Sequence, residues 1–203
     1  MTTSASTPRL RITQTWYLAL LLLACVNAGS ALPAAADTVC DTLALLLVGG
    51  AFLGRIWCSA FIAGRKDQVL VTAGPYSRCR NPLYSLSWLG AAGLGLATRS
   101  VTLTASTLAL LALLYWRAAL AEEKILQSLH GAAFTAWCKH TPRFLPLPRA
   151  AAPAATPAQL QQPAQIYWKA FQDAGSMLLL YALIEAARGL REIGVLPTLL
   201  HLP

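Results

Sequence analysis

Four apolar runs of nearly membrane-crossing length follow one another with only short polar breaks, at roughly 15–32, 39–63, 82–97 and 101–121. A helix needs about 20 mostly apolar residues to cross the hydrocarbon of a bilayer, and a soluble domain has no use for four such runs in succession. Charged residues make up only 12% of the 203-residue chain, about half the share usual in soluble domains. The sequence therefore predicts an all-α fold, a polytopic integral membrane helical bundle of about four transmembrane helices with a cytosolic C-terminal region.

The breaks define the topology. Pro33 ends the first run, and Asp37 or Thr38 can cap the second. The loop Gly64–Asn81 holds Arg65, Lys66, Arg78 and Arg80 against one acid, Asp67. The third run starts near Pro82 and carries Gly90, Gly93 and Gly95, residues that let helices approach closely. A turn at 98–100 joins it to the fourth, whose helix is expected to continue through Glu122, Glu123 and Lys124 towards Leu129. Lys and Arg collect at the N-terminus, in the 64–81 loop and after Ala121, whereas the 33–38 turn has none. Positive loops stay inside, so both termini are expected in the cytoplasm of a bacterial inner membrane protein.

Residues 1–146 form the expected core. A Pro- and Ala-rich linker (147–165) and a helical extension (166–203) follow. The extension's uninterrupted apolar stretch, 174–184, is short for a span. Lying in the interface, packing on the bundle and mediating dimerisation all fit it. The first run followed by ALPAAA imitates a signal peptide, but its length and the span directly after it favour a retained helix. The net charge of +8 sits in loops between apolar runs, which excludes a nucleic-acid face as its purpose. Cys25, Cys40, Cys58, Cys79 and Cys138 show no CxxC or CxxH spacing, so neither a metal site nor a disulfide framework is expected.

Polar groups at the edge of a membrane helix are costly and therefore informative. In GPYSRCRNPLYSLSWLG (74–90), Gly-Pro marks a turn and Asn-Pro starts a helix, whose free amides favour a nearby carboxylate or phosphate. Glu122 and Glu123 are adjacent, so about 100° of helix rotation separates them. From spacing alone, one can face the bundle while the other meets the interface, and a solvated helix end explains them as well.

The order of these residues resembles the isoprenylcysteine carboxyl methyltransferase family and its relatives, the small phospholipid methyltransferases. The resemblance rests on Leu70-Val71-Thr72, Gly74-Pro75-Tyr76 and Arg80-Asn81-Pro82-Leu83-Tyr84, then Glu122-Glu123, Leu126, His130-Gly131, Phe134, Trp137 and the closing PRFLP of 142–146. It covers about two fifths of the chain, with a helical hairpin between its halves. It implies S-adenosylmethionine as cofactor, bound on the cytosolic side within 68–146. The cofactor-binding positions it implies are Gln68, Val69, Leu70, Val71, Tyr76, Asn81, Pro82, Leu83, Tyr84 and Glu122. An arginine one turn before the acid is associated with the acceptor in that family; here Ala118 stands there, and the adjacent Arg117 is the substrate-binding candidate. Eukaryotic members carry His where this chain has Asn81, an amide that cannot titrate and that accompanies diverse substrates in bacterial relatives.

The resemblance implies methyl transfer to a hydrophobic or membrane-resident acceptor that reaches the site through the bilayer: an isoprenylcysteine-like carboxylate, a lipid amine or a small thiol. No catalytic acid or base is assigned, because alignment and desolvation dominate an in-line transfer to an anionic acceptor. The rival readings are an NADPH-dependent membrane reductase of sterol-reductase-like architecture and a non-catalytic membrane scaffold. Oligomeric state is left open.

Overall fold

The computed structural model describes residues 6–62, 69–148 and 164–203. Among these the chain forms α1 (Ser6–Val26), α2 (Ala34–Ile62), a single 3-10 turn (Pro75–Ser77), α3 (Pro82–Ala97), α4 (Val101–His140) and α5 (Ala164–Glu192). No strand occurs among them; one isolated bridge pairs Asn27 with Leu200.

Helix α3 occupies the expected 82–97. Helix α1 begins earlier and stops earlier than expected. It ends at Val26: the Asn27 amide still bonds back to Leu23 O, but that of Ala28 bonds to Leu200 O at 2.9 Å rather than into the helix. Helix α4 runs past Leu129 to His140 but breaks at Gly131, whose φ of 45° and ψ of −116° leave the helical region. The linker expected at 147–165 lies outside the described residues except at its ends.

Helices α2 and α4 are long and apolar enough to cross a membrane. Large apolar side chains such as Leu45, Leu46, Leu53 and Leu113 point outward from them. An outward face this apolar suits lipid rather than water.

The chain divides into two compact units. The first comprises Met1–Gly49, Trp88–Leu114 and Ser176–Pro203. Its core joins Leu20, Ala44, Val48 and Leu94 to Met177 and Ile184, so the distal half of α5 is packed into this unit. At Gly93 a Cβ would lie 2.7 Å from Ala44 O, so only glycine admits this approach of α3 to α2. The α3–α4 turn holds Arg99 at a φ of 55°, a strained conformation for a side-chain-bearing residue. Its guanidinium overdetermines that geometry: it donates to Asp37 Oδ1 at 2.6 Å, to Asp41 and to Leu96 O. Arg188 of α5 joins the same acids, donating to Asp41 Oδ2 at 2.9 Å. Ser100 then caps α4, its Oγ accepting from the Leu103 amide at 3.2 Å.

The C-terminal segment closes this unit. The amides of Leu199 and Leu200 donate to Val26 O, Leu202 N donates to Asn27 Oδ1, and Ser100 Oγ and Thr102 N donate to Pro203 O. The C-terminal region expected in the cytosol is thus fastened to the α1–α2 and α3–α4 turns, the two connections that charge counting puts on the opposite side. The reason is a set of backbone pairings between distant segments, for which composition carries no signal.

Candidate active site

The second unit, Gly50–Ser87 with Tyr115–Gly175, contains the motif residues. Its foundation is the Gly-Pro turn. Gly74 adopts a φ of 59°, and a Cβ there would lie 2.3 Å from the Phe61 ring, so glycine is required twice over. The turn places Tyr76 in a buried cluster with Cys58 and Phe61, on which Val71, Leu83 and Trp137 pack.

Glu123 holds the two halves of the motif together. Its carboxylate accepts four hydrogen bonds: from Arg80 Nη1 at 2.9 Å, Asn81 Nδ2 at 3.1 Å, Arg143 Nε at 2.9 Å and Arg143 Nη2 at 2.9 Å. The residue is only 8% exposed. The hydrogen bond from Arg143 to this carboxylate raises the arginine's pKa further, against a smaller effect of burial. Backbone bonds add to the clamp: Arg80 N to Pro142 O, Asn81 N to Arg143 O and Leu147 N to Arg78 O, each within 3.0 Å. Ser85 Oγ donates to Phe144 O at 2.6 Å, and Arg143 lies over the Trp116 ring. The PRFLP segment is therefore a strap that binds the start of α3 to α4.

Glu122 is differently placed. It accepts the Tyr84 hydroxyl at 2.7 Å, and Tyr84 stacks on Tyr115 with ring centroids 5.1 Å apart. Asn81 starts α3 through its carbonyl, which accepts from the Tyr84 and Ser85 amides. Its side-chain amide is spent on Glu123 and Arg143 O.

Tyr76 is 5% exposed, and its hydroxyl has no hydrogen-bond partner among the described residues. Burial above all pushes its pKa well above 10.0, with Cys58, Glu122, Cys79 and Tyr84 nearby adding to the shift. The Trp137 indole N–H is likewise buried without a partner. Orphaned donors of this kind are rare in proteins, and here they lie in one cluster.

Of the expected cofactor positions, the structure brings Tyr76, Tyr84 and Glu122 together, with Leu83 and Val71 packed beside them. Pro82 and Asn81 are buried. Val69 is 57% exposed, and Gln68 lies outside the described residues. Arg117 is on the exposed side of α4. Sequence reading did not assign Glu123 or Arg143. The signal available was one acid of a pair against basic residues in both motif halves.

A family model described as phospholipid methyltransferase matches residues 42–133. That segment is similar to phospholipid methyltransferases. The match takes in α2, α3 and α4 down to the Gly131 break, and so both Tyr84 and Glu122. The cobalt-zinc-cadmium resistance protein CzcN of Cupriavidus metallidurans is 43% identical over 105 residues, covering 52% of this chain and 48% of that protein. The nickel-cobalt-cadmium resistance protein NccN of Alcaligenes xylosoxydans xylosoxydans is 44% identical over 105 residues, covering 52% of this chain and 49% of its own. The chain thus spans about half the length of the curated relatives it matches. No solved structure matches it.

Proposed function

We propose that the chain is an S-adenosylmethionine-dependent methyltransferase acting on a hydrophobic or membrane-resident acceptor at the cytosolic face of a bacterial inner membrane. The observation that carries this reading is the hydrogen bond between half-buried Tyr84 and Glu122 beside buried Tyr76, whose hydroxyl has no partner among the described residues, inside a segment of phospholipid methyltransferase type. The donor set fits the cofactor: a carboxylate for its ammonium or ribose, a phenol without a partner, and aromatic and aliphatic walls. When bound, that cofactor supplies a methyl group on a positively charged sulfur. Glu122 would hold it, with Tyr84 fixing the carboxylate's orientation, and Tyr76 would donate or accept one further hydrogen bond. Glu123, Arg80 and Arg143 position the loop, because their polar groups bond to one another. The buried surroundings of Tyr76 exclude water, so a reaction there is desolvated.

The expected placement of the C-terminus is revised in this reading. With the N-terminus and the 64–81 loop cytoplasmic, the α1–α2 and α3–α4 turns face the other side, and the segment Leu199–Pro203 bonded to them does as well. Helix α5 is then a fifth crossing. Its 29 residues extend about 43 Å at 1.5 Å per residue, enough for a hydrocarbon layer of about 30 Å. Its polar distal end is neutralised by Asp41 and Glu185, which pair with Arg188. The names of the two relatives add a setting, and we take the methylated product to serve resistance to heavy metals. The test is to incubate membranes containing the protein with methyl-labelled S-adenosylmethionine and follow the label. Label in a lipid-soluble product, lost in Glu122→Gln, supports the reading; label that is independent of the protein refutes it.

A further inference from the structure

Arg55 stands inside α2, a helix long and apolar enough to cross a membrane, seven residues from its end at Ile62 and so about 10 Å from that end. Ionisable groups at that depth are expensive and serve a pathway or a ligand far more often than packing. Its surroundings are described by three observations. Gly54 lets α3 come close, since a Cβ there would lie 2.7 Å from the Leu86 side chain. The Arg55 Nη1 reaches Ser87 Oγ and, at 3.5 Å, Leu83 O. Its Nε is buried with no partner, and among the described residues no carboxylate pairs with the guanidinium. The neutral contacts hold the side chain in place, and no carboxylate among the described residues compensates its charge. Glu123 is occupied by Arg80 and Arg143, and Glu122 takes the Tyr84 hydroxyl. Arg55 also neighbours Cys58, which packs with Tyr76, so the charge lies in the same cluster as the candidate cofactor residues.

We propose that Arg55, rather than Arg117, anchors the methyl acceptor, and that the acceptor is an anionic amphiphile whose carboxylate or phosphate receives the guanidinium fork. The word acceptor rests on the methyltransferase reading above; the anion site does not. An apolar body is required because Arg55 stands on a helix long and apolar enough to cross a membrane, so its ligand must share the bilayer. A guanidinium presents Nε and Nη in a plane suited to two oxygens at once, and Nε is the donor left over.

The test uses the full chain in neutral detergent, with dodecanoate, dodecyl phosphate and neutral dodecanol as probes and tryptophan fluorescence as readout. The expected result is saturable binding of at least one of the two anions that falls about tenfold or more in Arg55→Gln and less in Arg55→Lys. Dodecanol binding should not change, and acetate and inorganic phosphate should bind far more weakly than the amphiphiles. S-adenosylmethionine affinity should be equal in wild type and Arg55→Gln. Equal binding of the anionic amphiphiles by wild type and Arg55→Gln overturns the proposal. So does a variant that loses S-adenosylmethionine but keeps the amphiphile, since the arginine would then serve the cofactor's carboxylate. A measurement on the wild type avoids any folding defect of the variant: phenylglyoxal labelling of Arg55, mapped by mass spectrometry, should be blocked by the bound anion and not by dodecanol. Absence of protection also overturns the proposal. Wild type that protects Arg55 with the anion yet binds no S-adenosylmethionine keeps the anion site and removes the methyltransferase reading.

Discussion

Glu123→Gln separates a structural acid from a ligand-binding one at adjacent positions. The substitution keeps shape and volume but removes the charge that two arginines and one amide share. Removing one partner of a buried ion pair costs about 3–5 kcal/mol. The side chains of Arg80 and Arg143 retain 15% and 27% exposure, so water recovers part of the loss, and about 2–3 kcal/mol is the expected net cost. For a chain of this length each kcal/mol lowers Tm by roughly 2–4 °C, so a drop of roughly 5–10 °C follows. The assay is thermal unfolding of the purified protein in detergent, followed by circular dichroism at one scan rate. Glu122→Gln, assayed alongside, should shift Tm far less, since a glutamine amide oxygen can still accept the Tyr84 hydroxyl. A Glu123→Gln protein as stable as wild type, or less affected than Glu122→Gln, would refute the clamp.

Four further outcomes follow from the contacts described. Glu122→Gln and Tyr84→Phe should each weaken S-adenosylmethionine binding about tenfold with the fold intact, as read by equilibrium dialysis; unchanged affinity in both would remove the site assignment. Tyr76→Phe should leave stability unchanged or raise it by up to about 1 kcal/mol, because it deletes a buried hydroxyl without a partner. The raised pKa of Tyr76 also sets a sign: its neutral form is favoured by burial, so its contribution is complete below pH 10.0 and is lost as pH rises through the higher folded value. Wild type should therefore lose stability above that pH more steeply than Tyr76→Phe; parallel profiles would contradict the burial argument. A single-cysteine label or fusion reporter after Leu199 should report the non-cytoplasmic side in intact cells, and a cytoplasmic signal would restore the four-span arrangement.

The apolar runs made α2, α3 and the first part of α4 legible because a helix in lipid must satisfy its own backbone. Pro82 behind Asn81 and the 98–100 turn mark the α3–α4 hairpin closely for the same reason. The end of α1 was not legible, since Ala28 bonds to a residue more than 170 positions away. The packing of α5 was hidden likewise: interface, bundle and dimer contact all fitted its sequence, and its contact with the first unit shows only where Asp41 meets Arg188 and Leu20 shares a core with Met177. Within the site, resemblance marked Glu122 and Tyr84 but not the division of labour between the two glutamates, which depends on helix rotation and on a strap twenty residues later. Arg55 was readable only as an arginine near a helix end. Whether such a side chain turns out to the interface or in towards Ser87 is decided by packing at Gly54 and Leu86, not by its own neighbours in sequence.

The most direct measurement of the central claim is equilibrium binding of labelled S-adenosylmethionine and of NADPH to the purified full chain. The account predicts saturable binding of S-adenosylmethionine at one site, diminished in Glu122→Gln, and no competition from NADPH. Absence of S-adenosylmethionine binding at millimolar concentration, together with saturable NADPH binding, would contradict it.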